Sequence, residues 1–175
     1  MTEGPERLAR RTLHTGRIFQ LVHDRVRLAS GREQHVDVVL HPGAVAIAPR
    51  LDDGSFVAVR QYRHPVEADL LEFPAGRLEA GEDPLACARR ELAEETGYAA
   101  ENWRSLGDVL VAPGWTTERI HLFVAEGLTR LASPPPADDD EEIQIVELEP
   151  AALWRSTNDA KTLVALARLG FAQIT

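Results

Sequence analysis

Apolar and polar residues first alternate along GRIFQLVHDRVRL, with Ile18, Val22, Val26 and Leu28 at recurring positions. Alternation of this kind sends successive side chains to opposite faces of a strand. ASGRE, pivoting on Gly31, returns the chain into QHVDVVL, so the pattern predicts a hairpin. HPGAVAIAPR is apolar enough for a buried strand, LDDGS is a hairpin turn built on Asp53-Gly54, and FVAVRQYR is the next strand. EADLLEFPAGRLEAGEDP reads as a connecting segment with glycines at 76 and 81. A helix follows, capped by Asp83, opened by Pro84 in its first turn and stopped by Gly97. WRSLGDVLVAP and RIHLFVAEGL predict two strands around the PGWTTE loop. SPPPADDDEE is a proline-rich acidic loop, and EIQIVELEP a last strand. NDAKTLVALARLG is a final amphipathic helix, capped by Asn158 and ended by Gly170. The charged residues 1–12 read as frayed. Strands dominate with two substantial helices inserted, so the expected class is mixed α/β.

Length and composition narrow this picture. With 175 residues, 44% of them hydrophobic, the chain can bury one good core and a small appended element, but not two full domains. The single cysteine, Cys87, excludes an internal disulfide, and the polar start of the chain lacks a secretory pattern, so the cytoplasm is the expected compartment. No apolar run approaches the roughly 20 residues of a membrane helix. A net charge of −9 argues against nonspecific nucleic-acid binding. An anionic substrate would need a divalent metal or a few focused arginines to overcome the same repulsion.

The chemistry concentrates in RRELAEETGY, Arg89 to Tyr98. At about 100° per residue, Glu91, Glu94 and Glu95 are neighbours at i, i+3 and i+4, beside the apolar face of Leu85, Ala88 and Leu92, with Arg90 within reach of Glu94. Like charges so placed destabilise a helix by a few tenths of a kcal/mol. Composition alone reads them as a solvated acidic face. Three features point elsewhere. Glycines in GRLEAGEDP suit a tight loop that brings backbone close to another group, the acidic face lines a rim beside the core, and clustered carboxylates are what Mg²⁺ or Mn²⁺ takes as ligands.

Gly76, five residues, Glu82, seven residues and then Arg90-Glu91-Leu92-Ala93-Glu94-Glu95-Thr96-Gly97-Tyr98 resembles the Nudix box, with every fixed position of its 23 residues filled. The resemblance implies an α/β/α sandwich with a mixed sheet that hydrolyses a nucleoside diphosphate linked to another group, using divalent metal. HPGAVAIAP, LLEFPAG and APGWTTE, with Pro113 about fifteen residues past the box, look like the ADP-ribose pyrophosphatase branch. That likeness runs from about Gly16 to the last helix. It implies an N-terminal antiparallel β element, residues 1–40, that dimerises, and a Nudix hydrolase domain over 41–175. The active sites of the resulting homodimer would draw residues from both chains.

The resemblance also implies roles. Glu91 and Glu95 match the principal metal ligands, the carbonyl of Ala75 a backbone ligand, and Glu94 a third; Glu82 braces the loop through Arg90. Arg63 matches an arginine that contacts the substrate's phosphates, Glu118 is placed to orient substrate, and Phe19 or Ile18 to pack on the adenine. Glu141, with Glu142 as the alternative, matches the position of the general base. The implied reaction is Mg²⁺-dependent (or Mn²⁺-dependent) hydrolysis of ADP-ribose to AMP and ribose 5-phosphate. The same chemistry on GDP-mannose is the nearest alternative, and a non-catalytic ADP-ribose sensor a remote one. One departure stands out: where the branch usually has Arg-Glu, this chain has Val36-Asp37, leaving Arg32 as the nearby candidate to clasp a phosphate.

Overall fold

The computed structural model describes residues 4–136 and 142–172, which fall into two compact units. The first takes in the chain up to Gly43 together with Leu110–Arg119; the second comprises Ala44–Val109 and the chain from Ile120 onward.

In the first unit, β1 (Glu6–Thr15), β2 (Gln20–Arg27) and β3 (Glu33–Leu40) form an antiparallel sheet in the order β1-β2-β3. The hairpin at Gly31 is as expected, with its backbone in the left-handed region at φ +82°. Residues 6–12, expected to fray, are instead the outer strand. Charge pairing explains the difference: Arg10 grips the buried Asp24 of β2 through two hydrogen bonds of 2.7 and 2.6 Å, and Arg27 reaches Glu6 at 3.1 Å. A period-two search for apolar residues misses a strand held by its polar face. β3 also ties down the PGWTTE loop, since the Val39 N–H donates to Trp115 O and the Thr117 N–H to Val39 O.

The second unit holds two sheets, one in the order β10-β5-β6 and one in the order β7-β4-β9-β8. Their strands are β4 (Ala44–Pro49), β5 (Phe56–Arg63), β6 (Ala68–Glu72), β7 (Ala75–Arg77), β8 (Tyr98–Leu110), β9 (Arg119–Arg130) and β10 (Ile143–Leu148). β4 runs parallel to β9 and antiparallel to β7, which makes that sheet mixed. The unbroken apolar run of β4 follows from cover on both faces. Val45 and Ile47 pack with Cys87, Ala88 and Leu92 of helix α1 (Pro84–Thr96), whereas Ala48 packs with Ala165 and Leu166 of helix α3 (Ala160–Arg168). Helix, sheet and helix thus stack as the expected sandwich.

Several local expectations change. LDDGS does turn, with Gly54 at φ +92°, but it joins no hairpin. Past the single Arg50–Phe56 bridge, β4 and β5 enter different sheets. The segment expected to be only a connection contains β6 and β7, both too short to show a period. A further helix, α2 (Pro150–Ser156), precedes α3. Asp159, not Asn158, caps α3: its carboxylate accepts hydrogen bonds from the Thr162 N–H and hydroxyl at 3.0 and 2.6 Å. Two adjacent residues are both good caps, and the register of the helix on the sheet chooses between them. Among the described residues, no helix is long and apolar enough to cross a membrane.

Candidate active site

Helix α1 is set by its ends as the sequence predicts. The Asp83 carboxylate accepts from the Leu85 and Ala86 N–H groups at 3.0 and 3.1 Å, Pro84 occupies the first turn, and Gly97 closes the helix at φ +68°. With Cys87, Ala88 and Leu92 pinned in the core at 0% exposure, the rotation of the helix is fixed. Glu91 and Glu95, one turn apart, are then buried at 9% and 6% exposure. The acidic ridge is therefore no solvated face, because burying a carboxylate demands partners.

Those partners come from Arg90 and from the strand before the helix. Arg90 Nη1 donates to Glu91 Oε1 at 2.6 Å and to Glu94 Oε2 at 3.0 Å, while its Nε and Nη2 donate to the Glu82 carboxylate at 3.1 and 3.2 Å. One guanidinium collects three of the four fixed glutamates of the motif, and Glu82 does brace the loop through Arg90. Hydrogen bonds from Arg90 lead the effects that hold Glu82 at a pKa of about 2. The same pairing, led by Glu82, raises that of Arg90. The fourth carboxylate, Glu95, accepts from the Ala75 N–H at 3.1 Å. Gly76, in β7, lies against Glu91 so closely that a Cβ there would stand 1.8 Å from the Glu91 carboxyl carbon. This glycine serves close approach, and the turn conformation falls to Gly81 at φ +78°.

Arg63, at the end of β5, donates through Nε and Nη2 to both oxygens of Glu72 at 2.8 Å each. Glu72 is 1% exposed and also pairs with Lys161 of α3. Burial, the largest effect on Glu72, would raise its pKa, yet the hydrogen bonds of Arg63 and the charge of Lys161 together hold it at about 2. Sequence reading missed Glu72 and Lys161. The available signal was a lone acid in the apolar run LLEF, which requires a cation. Segment 72–76 is a hub: Glu72 takes Arg63 and Lys161, the Phe73 N–H donates to Thr162 Oγ1 at 2.7 Å, Ala75 holds Glu95, and Gly76 admits Glu91.

The remaining candidates are distributed as follows. Phe19 and Ile18, 41% and 44% exposed, lie in the β1–β2 turn of the first unit. Glu118, in the same unit, stands 4.0 Å from His41 Nδ1. Arg32 is exposed in the β2–β3 turn, and Asp37 of the Val36-Asp37 departure contacts His23 Nδ1 at 2.6 Å. Glu142 is exposed just before β10, and Glu141 lies outside the described residues. Cys87 is fully buried, and burial pushes its thiol up to about 12, so it is inert as a nucleophile.

The glutamates of the motif and the Ala75 carbonyl are oxygen donors, the ligand type that hard divalent cations prefer, with the Gly76 cradle beside Glu91. The donor chemistry thus fits a metal. Among the described residues, however, no three acidic, imidazole or thiol groups converge as a finished ligand set, and Arg90 is the cation that gathers Glu82, Glu91 and Glu94.

Comparison with known proteins places the chain in a family. The NUDIX domain model matches residues 39–168. The methanol dehydrogenase activator of Bacillus methanolicus is 39% identical over 162 residues, which is 90% of this chain and 88% of that protein. The ADP-ribose pyrophosphatase of Bacillus subtilis is 37% identical over 167 residues, 93% of this chain and 90% of that one. That of Mycobacterium tuberculosis is 41% identical over 139 residues, 79% and 67% of the two chains. A solved structure described as an ADP compounds hydrolase superposes with a TM-score of 0.85 over 97% of this chain and 94% of its own; at 24% identity, that likeness speaks to the fold.

Proposed function

The chain belongs to the NUDIX family, and on that footing we propose that it is a nucleoside diphosphate-sugar hydrolase that cleaves ADP-ribose to AMP and ribose 5-phosphate. The observation that carries the reading is the packing of the motif into itself: buried Glu91 fills the space over Gly76, and buried Glu95 is held by Ala75. Two carboxylates buried side by side on one helix turn are the arrangement expected where charge is needed for chemistry.

In this reading Glu91, Glu95 and Glu94, with the carbonyl of Ala75, hold Mg²⁺ (or Mn²⁺). When bound, such a cation supplies Lewis acidity and neutralises charge at a diphosphate. Arg63, kept straight by its bidentate pair with Glu72, makes a charge-assisted contact to phosphate. Glu141, with Glu142 as the alternative, takes the proton of the water that attacks phosphorus as the bridging P–O bond breaks, a contribution of about 10²–10⁴-fold. Phe19 packs on the adenine and Glu118 orients the substrate. A homodimer belongs to the same proposal, supported by the apolar Leu13, Ile18 and Phe19 that the first unit exposes.

The test is a panel of nucleotide sugars with Mg²⁺ and product identification. ADP-ribose is expected to be the best substrate, giving AMP and ribose 5-phosphate in equal amounts. Preference for GDP-mannose would move the substrate, and binding of ADP-ribose without product would overturn hydrolysis. Sedimentation of the purified protein as a monomer at micromolar concentration would remove the dimer.

A further inference from the structure

The side chain of Gln61 lies in β5 at 8% exposure, and its amide oxygen has no hydrogen-bond donor among the described residues. Buried acceptors are nearly always paired, because an unmet one keeps the cost of leaving water and gains nothing in return. The orphan is not placed at random. Residues i and i+2 of a strand share a face, so Val57, Val59, Gln61 and Arg63 form one row. Val57 belongs to the core cluster with Cys87, Ala88 and Leu92 of α1, so this is the face covered by the helix that carries Glu91 and Glu95. Across the strand, Gln61 faces Leu70 of β6, between the rows Arg63–Ala68 and Val59–Glu72. The ion pair from Arg63 to Glu72 therefore runs diagonally past the Gln61 row.

We infer that Gln61 is a further binding residue of the diphosphate site, its amide oxygen accepting a hydrogen bond from an O–H donor present in the substrate-bound site. The claim rests on the hydrolase reading above. Phosphate and carboxylate oxygens are themselves acceptors, so the anionic part of the ligand does not meet this oxygen, and an O–H next to the diphosphate does. Two sources supply such a group: a hydroxyl of the sugar beyond the diphosphate, or the attacking water. Arg63 is matched to the anionic part of the ligand, and Gln61, two residues before it, to the neutral hydroxylated part or the nucleophile.

Gln61→Met, close in length and without polar atoms, tests this with Gln61→Leu as a second variant. Both are expected to melt at or above the wild-type temperature, since each removes an unmet buried acceptor. A sugar hydroxyl predicts a roughly tenfold rise in KM for ADP-ribose with the Ki of ADP, which lacks the second sugar, unchanged. Water predicts a roughly tenfold fall in kcat with KM and the Ki of ADP unchanged. Either result supports the inference and names the donor. Unchanged kcat and KM overturn it, as does a melting temperature several degrees below wild type, which would make Gln61 a structural residue. A wild-type enzyme with no turnover of ADP-ribose overturns the hydrolase reading and this inference together; an active wild type with indifferent variants overturns this inference alone.

Discussion

Single residues divide sharply by how far their partners lie along the chain. Asp83 and Gly97 were legible because a cap and its helix are adjacent. Gly76 was legible as a glycine that admits close approach, but its visitor, Glu91, is fifteen positions away and became known only from the fold. Its removal gives a pointed test. Gly76→Ala pushes a methyl group into the Glu91 carboxylate, and overpacking of this kind costs about 1–3 kcal/mol. Thermal melts should show that loss and also show Glu91→Ala restoring most of it in the double variant, while activity stays absent. Equal destabilisation by Gly76→Ala with and without Glu91 would mean that the two do not meet. Glu72 was illegible for the opposite reason. Its partners, Arg63 and Lys161, are on another strand and a distant helix, and no local pattern announces either.

Glu72 and Glu82 carry an acid limb of stability with a definite sign. Each is held at about 2, below the ordinary value of 4.5, so the unfolded chain binds these protons more readily than the folded one. Their stabilisation is present above pH 4.5 and is lost as pH falls toward 2. Melting temperature followed over that interval should decline, and Glu72→Gln should flatten the decline while costing about 1–3 kcal/mol at neutral pH, because it weakens the charge-assisted bonds from Arg63 and leaves Lys161 with Asp159 alone. A decline as steep in the variant as in the wild type would take Glu72 out of this account.

At the scale of elements, long and well-terminated segments were readable and short or polar ones were not. Helix α1 has both ends written into it, and β4 is covered on two faces, so each declares itself. β6 and β7 span five and three residues, too few for any period. β1 pairs through charge, and α2 opens on Pro150 without a side-chain cap. The core side of α1 makes its own prediction. Cys87 should resist a thiol reagent at pH 8 in the folded protein and react at once in denaturant; ready labelling of the native state would mean that α1 is rotated from the position described.

For the molecule as a whole, the mixed α/β class and the family could be read in advance, because the 23-residue motif constrains many positions at once. Sheet order could not. Nothing in LDDGS says that the strands on either side of the turn part into different sheets. Pairing partners are chosen by the whole core, in which α1 and α3 each claim one side of β4. The catalytic base remains a proposal from sequence, with Glu141 outside the described residues.

Whether the buried carboxylates of α1 carry out hydrolysis is tested most directly by Glu95→Gln. The measurement is kcat/KM for ADP-ribose at saturating Mg²⁺, beside the melting temperature of the same preparation. A loss on the order of 10²-fold or more is expected, in a protein that still melts cooperatively near the wild-type temperature. Wild-type turnover by that variant would contradict it.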